Sequence, residues 1–236
     1  VELTIQTEIS GMKGSTRTAP TESITAITAY AFDSNSQLIK EVTAILSDDK
    51  QATSGNLRIK VPKRTGDIHF IAKNNAESPD VTISIGDNVS TLLSQTTDEL
   101  HYWGKATFDG TNATLPVTLY RNMAKVTLEA GNDDYIAGFL NYNTSGNIVP
   151  YSNEGFDFGS KKNYITLPNE VTSTSHDGTN ESLGTEHYLF EHANEKNNNP
   201  LYAICNIGGK YYKIAFAYTN NGSVTYFDII RNNAYK

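Results

Sequence analysis

The feature that constrains this chain most is a two-residue alternation of apolar side chains, broken at short intervals by turn residues. Val1, Leu3, Ile5 and Ile9 share one face of the opening segment. Gly11, Gly14, Ser15, Thr16 and Pro20 then break the pattern, with Arg17 among them. Strand-like segments follow at 24–33, 37–46, 57–61, 67–73 and 81–85. The turn sequences Asp33-Ser34-Asn35, Ser54-Gly55-Asn56 and Thr65-Gly66-Asp67 separate several of them. Strands this short at this spacing predict a sandwich or barrel. One short helix is predicted at about 88–99, capped by Asn88, with Val89, Leu92 and Leu93 at helical spacing.

The segment 113–130 carries a change of phase. Val117 and Leu119 occupy odd positions, whereas Ala124, Val126 and Leu128 occupy even ones. Such a switch inside one strand-like run needs a bulge or a change of sheet. It falls at Arg121-Asn122-Met123, and a domain boundary is placed nearby, giving β-sandwich domains over 1–116 and 117–236. Further strands are predicted at 124–130, 135–143, 163–167, 187–192, 201–207, 210–218 and 224–231. Gly208-Gly209 and Asn221-Gly222 mark hairpin turns. The polar stretches 144–162 and 172–186 read as long loops. Helices and strands do not alternate, so an α/β fold is rejected.

Composition narrows the function. Thr, Asn and Ser supply 69 of the 236 residues, charged residues only 19%, and the net charge is −7. This is the balance of a β-rich exported protein. An acidic chain without a Lys/Arg cluster does not suit nucleic acid, and no apolar run is long enough to span a membrane. The single cysteine, Cys205, excludes an intrachain disulfide and reads as a small buried hydrophobe.

Chemistry-bearing motifs are sparse. Glu186-His187-Tyr188-Leu189-Phe190-Glu191-His192 matches no metalloprotease spacing. On a strand its two imidazoles diverge, which makes them solvated strand residues. Asp48-Asp49 and Asp133-Asp134 are turn carboxylates without the further oxygen ligands that calcium requires. No nucleophile elbow, dinucleotide fingerprint or phosphate loop occurs. No catalytic residue, metal or cofactor is expected, and the chain reads as a non-enzyme. Tyr102-Trp103-Gly104 has two readings: an aromatic platform for a sugar, or aromatics packing a strand end.

Four motifs carry a resemblance. They are Ser15-Thr16-Arg17-Thr18-Ala19 after the first strand; His101-Tyr102-Trp103-Gly104; Arg121-Asn122-Met123-Ala124-Lys125-Val126 at mid-chain; and Ile229-Ile230-Arg231-Asn232-Asn233-Ala234-Tyr235 near the end. In this order and spacing, which cover nearly the whole chain, they resemble the Bacteroidales fimbrillin family, the subunits and anchors of type V pili. The resemblance implies an all-β chain of two tandem transthyretin-like β-sandwich domains with at most one short helix. It implies export as a lipoprotein precursor to the cell surface and fimbrium, in association with the outer membrane. An arginine-specific protease would cut between Arg17 and Thr18 and free the strand carrying Val1, Leu3, Ile5 and Ile9. A strand of another pilus subunit would fill the groove.

Burial of four such side chains is worth roughly 6–12 kcal/mol. Gly104, Arg121, Asn122, Ala124, Lys125, Arg231, Asn232 and Tyr235 are read as structural members of the motifs. The chain stops soon after the last motif and is shorter than major pilins, which leaves shaft, tip or anchor rank open. The alternative is a surface adhesin that does not polymerise, with a host protein or glycan as its partner.

Overall fold

The computed structural model describes residues 1–12, 24, 26–45, 54–73, 81–150, 182–194 and 200–236. Among the described residues, all regular structure is strand except one five-residue helix. The all-β class with at most one short helix is thus what the chain adopts. It folds into two compact units. Among the described residues, the first is built from 1–11, 24–122 and 147–150, and the second mainly from 123–146 and 182–236.

The first unit contains β1 (Glu2–Ile9), β2 (Ala26–Asp33), β3 (Leu38–Ile45), β4 (Ser54–Lys60), β5 (Thr65–Lys73), α1 (Val89–Leu93), β6 (Thr96–Thr97), β7 (His101–Thr107) and β8 (Thr114–Arg121). Seven of these strands form one sheet in the order β3-β2-β5-β7-β8-β1-β4. Every one of the seven sends apolar side chains into the same core: Leu3, Ile27, Val42, Leu57, Phe70, Tyr102 and Val117 are examples. A flat sheet cannot do this, so the sheet is curled around the core. Its two outer strands, β3 and β4, approach along a cleft lined by Glu2, Lys40, Glu41, Arg58 and Lys60. Charged edges of this kind resist pairing with other strands.

β2 is buried on both faces. Ile27, Ala29 and Ala31 face the main core. Tyr30 and Phe32 face a second cluster with Ile71, Leu92, Leu93, Trp103, Ile148 and Val149. The expected strand at 81–85 belongs to the cover of this second cluster. Val81 and Ile83 pack on it, but 81–84 join no strand ladder. Their alternation comes from one-sided packing. The helix is shorter than expected. Asn88 caps it by accepting the Ser90 N–H at 3.0 Å, but Ser94 ends it, and the β-branched Thr96 and Thr97 favour strand.

The second unit contains β9 (Met123–Thr127), β10 (Tyr135–Leu140), β12 (Glu186–Phe190), β13 (Tyr202–Ile207), β14 (Lys210–Ala215), β15 (Ala217–Asn220), β16 (Ser223–Tyr226) and β17 (Ala234–Tyr235). The intervening β11 (Gly146–Asn147) carries the chain back to the first unit. β9 is the centre of the sheet β12-β9-β17, and β10-β13-β14 is a second sheet. Ala124, Val126, Ile136, Phe139, Leu189, Ala203, Cys205, Phe216 and Ile229 form the core. Cys205 is buried as expected, and burial pushes its thiol up. Both expected hairpin turns are present, with positive φ at Gly208, Gly209, Asn221 and Gly222.

Some strand boundaries differ from expectation. The run 210–218 divides at Phe216, which turns inward. The run 224–231 leaves the strand after Tyr226 and forms a turn. The stretch 146–150, expected within a loop, is buried. The expected strand at 163–167 lies outside the described residues.

The phase change at 121–123 is a change of sheet: β8 belongs to the seven-stranded sheet and β9 to the sheet of the second unit.

His69 packs against Phe32 and Trp103 of the second cluster. It is buried on β5, and the Trp103 Nε1–H donates to its Nδ1 at 3.1 Å. Phe32 meets its ring edge-on at 5.5 Å. Burial, reinforced by the Lys105 charge, pushes its pKa down to about 4 from 6.5. The folded protein therefore holds this ring neutral where the unfolded chain would take a proton. Its contribution is complete above pH 6.5 and is lost as pH falls from there towards 4. The total is on the order of 3 kcal/mol. His69→Asn keeps an acceptor for Trp103 and should flatten the stability profile between pH 6.5 and 4. Urea midpoints measured across that range check this.

Candidate functional site

The site is the slot that β1 occupies. β1 lies between β4, to which it is antiparallel, and β8, to which it is parallel. Its register pairs Leu3 with Ile59 and Ile5 with Leu57 on one side. On the other it pairs Ile5 with Leu115, Thr7 with Val117 and Ile9 with Leu119. Both partners are remote in sequence, so no hairpin ties β1 into the sheet.

Leu3, Ile5 and Ile9 are buried in the main core. Val1, expected to join them, is 45% exposed, because it lies before the strand and its first core position, Leu3. Three buried side chains therefore hold the strand, worth roughly 4–9 kcal/mol. Thr7 takes the remaining inward position and donates its hydroxyl to the Gly55 carbonyl at 3.2 Å. The expected cleavage point, Arg17 and Thr18, lies outside the described residues.

At the far end of the slot stands Arg121. β8 turns Leu115, Val117, Leu119 and Arg121 inward, so an arginine occupies a core position. Its Nη1 donates to the Ser10 carbonyl at 2.8 Å, and its guanidinium lies 5.6 Å from the centre of the Tyr102 ring. The Ser10 N–H donates to the Leu119 carbonyl at 2.8 Å. Ser10, the residue that follows β1, is thus gripped through both its backbone polar groups.

Asn122 closes the next turn. Its Oδ1 accepts the His101 N–H at 2.9 Å, and its Nδ2 donates to the Glu99 carbonyl at 3.1 Å. Gly104 on β7 is required by close approach. A Cβ there would lie 2.6 Å from the Thr118 carbonyl oxygen and 2.7 Å from Val117 Cγ1. Sequence reasoning named both residues as motif members, and their packing supplies the reason.

The second Arg-Asn pair builds a corresponding closure inside the second unit. Arg231 is buried and donates from Nη2 to Glu191 Oε2 at 2.7 Å. Asn232 adopts φ +57° and donates its N–H to the Met123 carbonyl at 2.8 Å. The Tyr235 hydroxyl accepts the Ile230 N–H and donates to the Asp228 carbonyl, pinning the turn. Ala124 is fully buried on β9, and Lys125 pairs with Glu186 at 2.8 Å.

Glu191 and His192, expected to be solvated, are both buried, and His187 is half-buried beside Phe139. Glu191 is the counter-charge of Arg231, a pairing no local spacing signals. The aromatic platform reading fails: Tyr102 and Trp103 are buried. Among the described residues, no group of three or more His, Cys, Asp or Glu side chains could hold a metal.

The second unit also leaves part of its inner face open. A cleft of about 350 Å³ is lined by Val126, Leu128, Ile136, Cys205, Ile214, Phe216 and Tyr235. On β14, Tyr212 and Ile214 lie opposite the core residues Cys205 and Ala203, yet both remain exposed.

No protein-family model and no curated protein matches this chain. Solved structures do. A fimbrial assembly protein from Parabacteroides distasonis ATCC 8503 aligns with a TM-score of 0.60 at 15% identity, covering 99% of this chain and 89% of that one. The tip fimbrial protein Mfa3 from Porphyromonas gingivalis, truncated at its C-terminus, aligns at 0.51 and 13% identity, covering 99% and 93%. A fimbrilin (fimA) from Porphyromonas gingivalis W83 aligns at 0.50 and 15% identity, covering 97% and 80%. At these identities the likeness shows the fold. This chain has the fold of these fimbrial proteins along nearly its whole length.

Two substitutions test the packing of the motifs. Gly104→Ala should cost about 1–3 kcal/mol, because backbone must move to admit the methyl group. A lower denaturant midpoint with an unchanged slope is the expected reading. Glu191→Gln should cost about 3–5 kcal/mol by leaving the buried Arg231 charge without its counter-charge. The paired change Glu191→Leu with Arg231→Met should cost less than the single one.

Proposed function

We propose that this protein is a non-enzymatic structural or adhesive subunit of a bacterial surface fimbria, assembled by exchange of its first strand. In this reading its two compact units are sandwich domains in tandem, and the mature protein is exported and held at the cell surface. An arginine-specific protease cuts after Arg17. The freed segment leaves, and a strand of another subunit enters the slot.

The observation that carries the proposal is the placement of β1. It fills the middle of an apolar groove, between two partners that are far away in sequence. After one cut in the segment that follows it, only non-covalent contacts retain it. Its departure exposes the inner faces of β4 and β8 and two unpaired edges, a template for strand addition. The outer edges β3 and β4 are instead charged along their shared cleft. The fold shared with fimbrial proteins agrees with this use.

The exposed aromatic and apolar side chains of the second unit, Tyr211, Tyr212, Ile214, Tyr218 and Val224, favour a second reading: a surface adhesin that binds protein or glycan without polymerising.

Brief exposure to an arginine-specific protease separates the two. Intact mass and size-exclusion chromatography should show selective cleavage after Arg17, loss of residues 1–17 and growth of oligomers. A protein cut at that point that keeps its first strand and stays monomeric would overturn the exchange mechanism and leave the adhesin.

A further inference from the structure

We propose that Arg121 sets the register of whatever strand occupies the β1 slot, by requiring a backbone carbonyl at the position of Ser10. This rests on the strand-exchange reading and goes beyond it, because it assigns a specificity-determining residue inside the acceptor groove.

The argument starts from cost. A charged guanidinium at a core position is unfavourable unless its donors are met. Arg121 is only 2% exposed and continues the inward row Leu115, Val117, Leu119. A hydrophobic residue would suit that row better for stability alone.

What the arginine adds is a side-chain donor aimed along the ladder. The parallel pairing of β1 with β8 ends at Ile9 opposite Leu119. One residue further, the Ser10 N–H still reaches the Leu119 carbonyl, and the Arg121 Nη1 takes the Ser10 carbonyl at 2.8 Å. The guanidinium thus stands where the next backbone donor would be. It ends the slot.

An apolar groove alone distinguishes registers poorly. A strand of alternating apolar residues can slide by two positions and keep its inward face. Such a slide moves the carbonyl away from Arg121 and leaves its charge without that acceptor. A charge-assisted hydrogen bond in a buried site discriminates well. The incoming strand is therefore expected to be apolar at the positions of Leu3, Ile5 and Ile9, to carry a small side chain at that of Thr7, and to place a peptide carbonyl at that of Ser10.

The test uses the full chain, cut after Arg17, and two fluorescent peptides of residues 1–13. One is natural. In the other, an uncharged planar alkene replaces the amide between Ser10 and Gly11. Binding and release are followed by anisotropy on the parent protein, Arg121→Met and Arg121→Lys. The parent should prefer the natural peptide by about tenfold or more. Arg121→Met should bind the two peptides almost equally, and Arg121→Lys should fall between. Equal preference in all three proteins would overturn the role of Arg121 while leaving exchange intact. If Arg121→Met does not fold, Arg121→Lys decides: a preference unchanged from the parent overturns the proposal. A cut protein that retains its own strand and admits neither peptide would overturn the exchange reading, and this proposal with it.

Discussion

The first unit depends on one insertion: β1, placed between β4 and β8 in the same sheet. Leu3, Ile5 and Ile9 reach a core to which all seven strands contribute. Without β1, β4 would have no neighbour in the sheet order on its inner side, and β8 would lose its parallel partner. The contacts that complete this sheet are therefore supplied by the strand with the weakest covalent claim to its place. The three inward apolar side chains contribute several kcal/mol, a sizeable share of what a domain of this size commonly has.

Both Arg-Asn pairs solve a closing problem. Where β8 ends, Asn122 satisfies the backbone of His101 and Glu99, and Arg121 satisfies Ser10. Near the end of the chain, Arg231 is met by Glu191, while Asn232 takes the left-handed conformation that its short polar side chain tolerates. The difference between them is instructive. Arg231 is neutralised by a carboxylate of its own unit. Arg121 lends a donor to a segment that a single cut would detach. Arg231 donates to a carboxylate side chain, whereas Arg121 donates to a backbone carbonyl, a group that any strand carries.

Much of this was legible in the sequence. Alternation at 24–33, 37–46, 57–61 and 67–73 marked strands, because each packs at least one face against a core, whereas the strand His101–Thr107 was not among those expected. The shift of phase between Leu119 and Ala124 marked the change of sheet. The motif residues Gly104 and Arg121 stood out before their contacts were known. Other parts were hidden for physical reasons. Residues 81–85 alternate because one side of an extended cover is apolar, and alternation alone does not distinguish cover from ladder. The partnership of Arg231 with Glu191 spans 40 residues, so no local spacing reveals it. The burial of Arg121 was readable from its phase after Leu115, Val117 and Leu119. Its acceptor was not, because that is a main-chain carbonyl 111 residues away.

The central claim is that β1 must leave its slot for subunits to join. A reversible lock tests it most directly. Gln6 and Asn56 lie opposite each other on the exposed face of β1 and β4. The double substitution Gln6→Cys with Asn56→Cys places two thiols there, while the native Cys205 is buried. The oxidised variant, cut after Arg17, should remain monomeric, and reduction should restore assembly to the level of the parent. Equal assembly of the oxidised and reduced forms would contradict the claim, because the strand would then be irrelevant to joining.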